Sequence, residues 1–483
     1  VEKPPPKRGE SFGRWFDWVI SAAEIYDYGR YPVKGVGIWM PYGFKIREKV
    51  LDILRTLLNS RGHEEVLFPL LIPEDMLRKE GEHVRGFEDE VYWITHGGLD
   101  QLDVKLALRP TSEVAITYME TLWYKSYKQL PKKLYQVVSI FRYETKATRP
   151  MIRLREVTTF KEAHTLHESF EDADRQVQEA IEIYSKFFDM LGIPYIVSKR
   201  PEWDKFPGAI YTVAFDTLMP DGRALQIGTV HHLGQTFTRV FETIIHKKDE
   251  TQDYGWQTSY GVSDRVIASI ISVHGDDKGA ILPPSIAPMQ VAVVPIPSQD
   301  DKETQDVWKY AEEIDGELKK AGFSSIADLD RDRRPVDKFY YYEIKGVPVR
   351  IEVGPRELRE RSVTIFRRDT LSRIRASRDD VARVVRETLE DIERNLKKRS
   401  WDEFRSYIRR VGTIEEAANI ISSRAGIVEI PWCGREKCAI EIVERSGASK
   451  MLGTPLEIQD LGNIKCPICG ERARIVARIA KTY

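Results

Sequence analysis

Residues 134–141 read Leu-Tyr-Gln-Val-Val-Ser-Ile-Phe, with Arg142 and Glu144 directly behind them. On an extended chain Tyr135, Val137 and Phe141 fall on one side and Leu134, Val138 and Ile140 on the other. A segment that is apolar on both faces reads as a buried strand. Beyond it come Lys146, Arg149, Arg153 and Arg155, and the chain turns apolar again around Val157 and Phe160. A strand, an arginine-rich loop and a returning strand through His164 make a hairpin whose cationic end suits an anionic ligand. Arg142 and Glu144 share one strand face. A guanidinium can hold a phosphate bidentately and a carboxylate can accept from an exocyclic amine, a pairing that suits a nucleotide. Taken alone, the same two residues are an ordinary surface ion pair, which contributes little.

Working outward, Phe12, Trp15, Phe16, Val19, Ile20 and Ala23 recur at helical spacing. Ile46 through Leu58 mark an amphipathic helix over Phe44 to Ser60, followed by a strand from Glu65 to Phe68 that Pro69 stops. Val104 to Leu108 is a short strand running into Arg109-Pro110-Thr111-Ser112-Glu113, and Val114 to Tyr127 has helical periodicity. Thr111 and Glu113 therefore sit at a helix start, where capping is one reading and ligand contact another. Ser169 caps a helix that ends at Gly192. Strands Tyr211 to Leu218 and Arg223 to Val230 flank a turn at Pro220-Asp221-Gly222, and the second continues to His231 and His232.

Pro283, Pro284 and Pro288 mark a linker. Beyond it strands and helices alternate to about Leu396, an α/β pattern. Residues 331–375 hold 13 Lys plus Arg against 7 Asp plus Glu, beside Phe339, Tyr340, Tyr341 and Tyr342. The whole chain of 483 residues has net charge −1, so this is a local basic surface of the kind RNA would meet. The length suits about two to four domains. No run approaches the roughly 18 apolar residues of a membrane span and residues 1–6 lack an apolar signal region, so a cytoplasmic protein without a membrane partner is expected. The four cysteines, Cys433, Cys438, Cys466 and Cys469, form two close pairs near the end, which disfavours a secreted disulfide scaffold and suits one tetrahedral Zn²⁺ with no open position.

The Leu134–His164 stretch resembles motif 2 of the class II aminoacyl-tRNA synthetases, and its flanks resemble the prolyl-tRNA synthetase family. Thr111-Ser112-Glu113, Phe160-Lys161-Glu162-Ala163-His164 and Gly261-Val262-Ser263-Asp264-Arg265 resemble that family's loop for the amino acid nitrogen, its proline-pocket strand and its motif 3. The resemblance runs from about Phe12 to Tyr483 and is closest to the archaeal and eukaryotic type. It implies an α+β catalytic domain, an antiparallel sheet flanked by helices, at 1–282. It further implies an α/β anticodon-binding domain at 283–400 and a small α+β zinc-binding domain at 401–483. The bacterial-type domain that hydrolyses mischarged alanyl-tRNA looks absent between Phe160 and Gly261, so editing in cis is not expected.

The activity implied is ATP-dependent attachment of L-proline to tRNA(Pro), with Mg²⁺ accompanying ATP. The resemblance assigns catalysis to Arg142 and Arg265. It assigns proline to Thr111, Glu113, Arg142, Phe160, Glu162, His164, Phe206, His231 and Ser259. ATP falls to Arg142, Glu144, Arg153, Gln226, Thr229 and Arg265, and the anticodon to Glu343, Arg350 and Arg356. Phe44 to Pro69 resembles motif 1, the interface of a homodimer. Tyr483, ending an apolar strand, resembles a peg directed at the active site; closing the cysteine module's core is the alternative. A threonyl enzyme would need a zinc-ligating cysteine, and none precedes Cys433. A seryl enzyme needs a coiled coil for which Val1 to Met40 leaves no room. A non-catalytic paralogue would usually lack a catalytic arginine or the basic domain.

Overall fold

A computed structural model describes residues 5–79, 88–423, 426–457 and 461–483. Its organising element is one sheet of eleven strands. The hairpin Lys132–Phe141 and Glu156–His167 lies near one end, with Leu134 opposite His164 and Tyr135 opposite Ala163. Next come Trp256–Val262, Ala224–Gly234, Tyr211–Leu218 and Ile196–Lys199, every pair antiparallel. The helix Phe170–Met190 packs on this sheet through Val177, Ala180, Ile183, Tyr184, Phe187 and Phe188. Ser169 starts it by accepting from Asp172 N (3.2 Å), and Gly192 follows its end at φ +65°. Full burial of each large apolar side chain is worth about 1.5–3 kcal/mol, so this face anchors the sheet.

Several elements differ from their sequence reading for identifiable reasons. The strand expected at Glu65 to Phe68 is only Glu64–Glu65, because Phe68 N donates to the side chain of Gln136 (2.9 Å) instead of joining a ladder. The helix expected to reach Tyr127 is Glu113–Trp123: Tyr124 is extended, and Ser126 and Gln129 form a capping box that starts a separate turn. The short strand at Val104 to Leu108 is Asp100–Leu108, lengthened by pairing with Tyr92–Gly97 and Leu71–Pro73 in a small sheet.

After the proline linker, strands Ser325–Ala327, Val291–Pro295 and Val349–Val353 run parallel, and Ser362–Arg367 and Arg373–Ser377 continue the sheet antiparallel. The helix expected to end near Leu396 is Val381–Ser406, running through position 400 for about 39 Å. Its first half packs on this five-stranded sheet. Phe404 joins Ile196, Leu218, Ile427 and Leu452 in a cluster of their own.

The C-terminal strands Ile408–Arg410, Ile427–Trp432, Ile475–Ala480 and Lys450–Pro455 extend the main sheet, because Thr454 pairs with Lys199 and Pro455 with Ser198. Gly453 makes the join possible: at φ +116°, a Cβ there would stand 2.0 Å from the Lys199 carbonyl oxygen. Among the described residues no helix is long and apolar enough to cross a membrane.

Candidate active site

A cleft of about 450 Å³ lies on one face of the antiparallel sheet and is lined by every residue assigned above to proline or ATP. Strand register explains the convergence. His231 pairs with Ser259 and Ser259 with His164, so three polar side chains stand abreast on adjacent strands. Two residues along, Thr229, Gly261 and Glu162 form a second row on the same face, open in the middle because Gly261 has no side chain. Glu113 projects from the start of its helix and Arg265 from the start of the helix Arg265–His274.

The floor is a connected acid–histidine network. Glu162 accepts from His164 Nε2 (2.9 Å), Gln136 Nε2 (2.8 Å) and Ser112 Oγ, while Glu113 accepts from Thr111 and, at 3.4 Å, from Ser259. Burial pushes the Glu162 carboxyl up, but its donors outweigh burial and hold it below the usual range. Burial disfavours the His164 cation, yet Glu162 holds its pKa above the ordinary value. The two partners thus hold each other in their charged forms, and Glu113 brings a further carboxylate to the cleft. Thr212 accepts from Phe206 N and bonds His231 Nδ1, each at 2.9 Å, and the Phe206 and His231 rings lie 4.6 Å apart.

At the other end the charge reverses. Arg142 Nε donates to Pro110 O (3.2 Å); Arg265 donates to Ile152 O (2.9 Å) and Gln226 O (3.1 Å). Burial, with Arg153 and Arg142 nearby, pulls Arg265 down to about 10, so it stays a cation at neutral pH. Glu144 lies 3.9 Å from Arg153, and its carbonyl accepts from Arg155. Guanidiniums gathered in a partly buried cleft make a ready anion site.

Sequence reasoning missed Arg200, Asp204, Lys205, Thr212 and Lys450, which line the same cleft. Arg200 is buried, bidentate to Asp216 (2.8 and 2.9 Å), and donates to Gln226 (2.8 Å). Beneath the pocket, fully buried Glu120 accepts from Gln257 Nε2 (2.8 Å), while its Oε1 has no partner among the described residues. Burial pushes this carboxyl up to about 7 from 4.5. The native state therefore holds a proton that the unfolded chain releases between those values, and stability falls as pH rises through that window, by on the order of 3 kcal/mol. Glu120→Gln should flatten the slope and raise the melting temperature at pH 8; an unchanged pH profile of unfolding would refute it.

The positions assigned to the anticodon divide. Arg350 is 2 % exposed, paired with Glu343 (3.0 Å) and Glu352 (2.7 Å), and held between the Phe339 and Phe366 rings at 4.1 Å each. To meet a base it would have to leave both carboxylates. Arg356 is exposed, 3.3 Å from Glu360. Arg350→Ala should accordingly cost about 3–5 kcal/mol by stranding buried carboxylates, and thermal unfolding measures it.

The four cysteine sulfurs all lie within 4.8 Å of one another. Gly434 at φ +91° turns the chain between Cys433 and Cys438, and Gly470 N donates to Cys466 O (2.9 Å) to fold the second pair into a knuckle. A tetrahedral metal with bonds of about 2.3 Å fits that spacing. Tyr483 packs on the N-terminal core: its amide donates to Ala224 O (3.1 Å), its hydroxyl to Asp221, and its ring meets Phe12 edge-on at 6.2 Å. It does not line the cleft. It touches the arginine loop through Arg149, 5.4 Å from its ring.

An antiparallel sheet that presents an arginine-bearing hairpin and a helix-borne arginine to one cleft is what the resemblance to the class II aminoacyl-tRNA synthetases implied. The family model described as "tRNA synthetase class II core domain (G, H, P, S and T)" matches residues 92–274, "Anticodon binding domain" 290–388, and "Prolyl-tRNA synthetase, C-terminal" 414–483. The chain is 59% identical over 474 residues to a proline–tRNA ligase of Sulfolobus acidocaldarius, covering 98% of each. It is 60% identical over 483 residues to that of Aeropyrum pernix, covering 99% of each. Its fold matches the solved Giardia lamblia prolyl-tRNA synthetase in complex with prolyl-adenylate, with TM-score 0.96 and 34% identity over 100% of both chains. Within its class, the chain belongs to the proline–tRNA ligase family.

Proposed function

We propose that the chain activates L-proline with Mg²⁺·ATP and passes it to the 3′ end of tRNA(Pro). The observation that carries this reading is one cleft with the carboxylates of Glu113 and Glu162 at its floor for a secondary ammonium and a cationic end for phosphates. Thr111 and Glu113 take proline's nitrogen, and Phe160, Glu162, His164, Phe206, His231 and Ser259 wall its ring. Glu144 reads the adenine amine, and Arg153, Gln226 and Thr229 border the nucleotide. Proline's carboxylate is already ionised, so no general base is needed. Its oxygen attacks the α-phosphorus while the bond to pyrophosphate breaks, and Arg142 and Arg265 stabilise the charge that develops. The 3′ ribose hydroxyl then attacks the prolyl carbonyl and AMP leaves. Exchange of labelled pyrophosphate into ATP, run with each proteinogenic amino acid in turn, should depend on proline; exchange with another amino acid and none with proline would end the reading.

The remaining assignments belong to the same proposal. Residues 1–282 catalyse, 283–400 read the anticodon through Glu343, Arg350 and Arg356, with Arg350 leaving its two carboxylates to do so, and 401–483 hold one structural Zn²⁺. Tyr483 steadies the arginine loop through Arg149. The site of action is the cytoplasm. A second copy covers the surface around Phe44 to Pro69, where Leu67 is 81% exposed and Leu70 and Leu71 are exposed beside it. Light scattering at micromolar concentration should give a dimer, and a fully active monomer would refute this.

A further inference from the structure

We propose that Lys450, carried by the C-terminal module, binds a phosphodiester at the acceptor end of the tRNA inside the active-site cleft. The inference rests on the function proposed above. Lys450 opens the strand Lys450–Pro455, the strand that joins the C-terminal module to the catalytic sheet, and it lines the cleft beside Arg200, Phe206 and Gln226. A residue that arrives from more than two hundred positions away is thereby built into the wall of the proline and nucleotide pocket.

The wall is held firmly. The buried Arg200 donates at once to Asp216, Gln226 and the carbonyl of Leu452, locking the Lys450 strand to the catalytic strands. Gly453 lets the two backbones approach too closely for any side chain. Lys450 itself pairs with Ala480 in the ladder, and its Nζ stands 2.8 Å from Asp204. Its side chain is 37% exposed. An ammonium carries three donors, so one carboxylate can orient it while it still serves an anion from the cleft.

The anion is identified by elimination within the site. ATP's phosphates are answered at the cationic end by Arg142, Arg153 and Arg265, and proline's carboxylate is consumed in the first step. The second step brings in a third anion, the nucleic acid strand whose terminal ribose must come up beside the prolyl carbonyl. A lysine is a point charge that holds a phosphate without reading a base, which suits an end shared by all tRNAs.

The test uses the full-length protein with Lys450→Ala, Lys450→Gln and Lys450→Arg, comparing kcat/KM for tRNA with proline-dependent pyrophosphate exchange. Lys450→Ala should lose about tenfold more in the former than in the latter. The plot of log kcat/KM for tRNA against log salt should become shallower by about 0.7, as expected for one lost contact to a single strand, and Lys450→Arg should restore both. A purely structural role would not move the salt slope. Equal losses in the two assays, a raised KM for ATP as the main effect, or an unchanged slope would overturn the proposal. Failure of the underlying function would show separately, as no proline-dependent exchange in the unaltered protein.

Discussion

Arg142→Ala should reduce proline-dependent pyrophosphate exchange by about 10²–10³-fold, the loss that follows removal of one preorganised donor at a developing charge. Three features make this the largest single catalytic effect expected. The arginine stands where the buried strand ends and the cleft begins, its Nε is fixed on Pro110 O (3.2 Å), and it lies in the shared field of Glu113, Glu162 and Glu144. A lysine would restore charge but not the planar fork, so Arg142→Lys should recover little. The fold should survive, since Arg142 lies outside the hydrophobic clusters that hold the sheet. Exchange within threefold of the unaltered protein, at equal melting temperature, would remove Arg142 from the chemistry.

Loss of metal should produce the second large effect, this time on stability. Structural zinc sites in small peptides contribute about 10–16 kcal/mol of apparent binding energy that is also folding energy. Cys433, Cys438 and Cys466 are buried in the module's own core with Ile430, Ile442 and Ile479, so without a metal their thiols must pack as poor hydrophobes. Cys438→Ser, or prolonged chelation, should release one equivalent of zinc per chain and open residues 414–483 to limited proteolysis. Elemental analysis and digestion read these separately. A protein that contains no zinc when purified without chelator, yet resists protease, would refute the site.

Much of the site was legible because it is written in short local patterns. The hairpin from Leu134 to His164 shows its burial through apolar residues on both faces, and its two strands do pair, with Leu134 opposite His164. Thr111 with Glu113, Glu162 with His164, and Arg142 with Glu144 are each two residues apart, so strand or helix-start geometry alone puts each pair on one side. Arg200, Thr212 and Lys450 carry no such signature. Their neighbours come from distant segments, and only strand pairing brings Lys450 to Asp204. The surroundings of Arg350 were not legible either: arginine is ordinarily exposed, and nothing local announces that Phe339, Phe366 and two carboxylates will enclose it. The long helix runs past its expected end near Leu396 because Ser400 and Phe404 continue its buried face.

The join between Thr454 and Lys199 has a consequence for how the chain can be cut. Remove the residues beyond the long helix, and Ile196–Lys199 becomes the outermost strand of a broad antiparallel sheet, its backbone donors and acceptors turned to water. Natural proteins blunt such edges because they recruit strands from other molecules. A shortened chain should therefore be prone to self-association, besides losing Lys450 from the wall of its cleft. The 77 residues that follow Ser406 would then act as a guard rail for the catalytic sheet, and their loss would appear as turbidity and polydispersity.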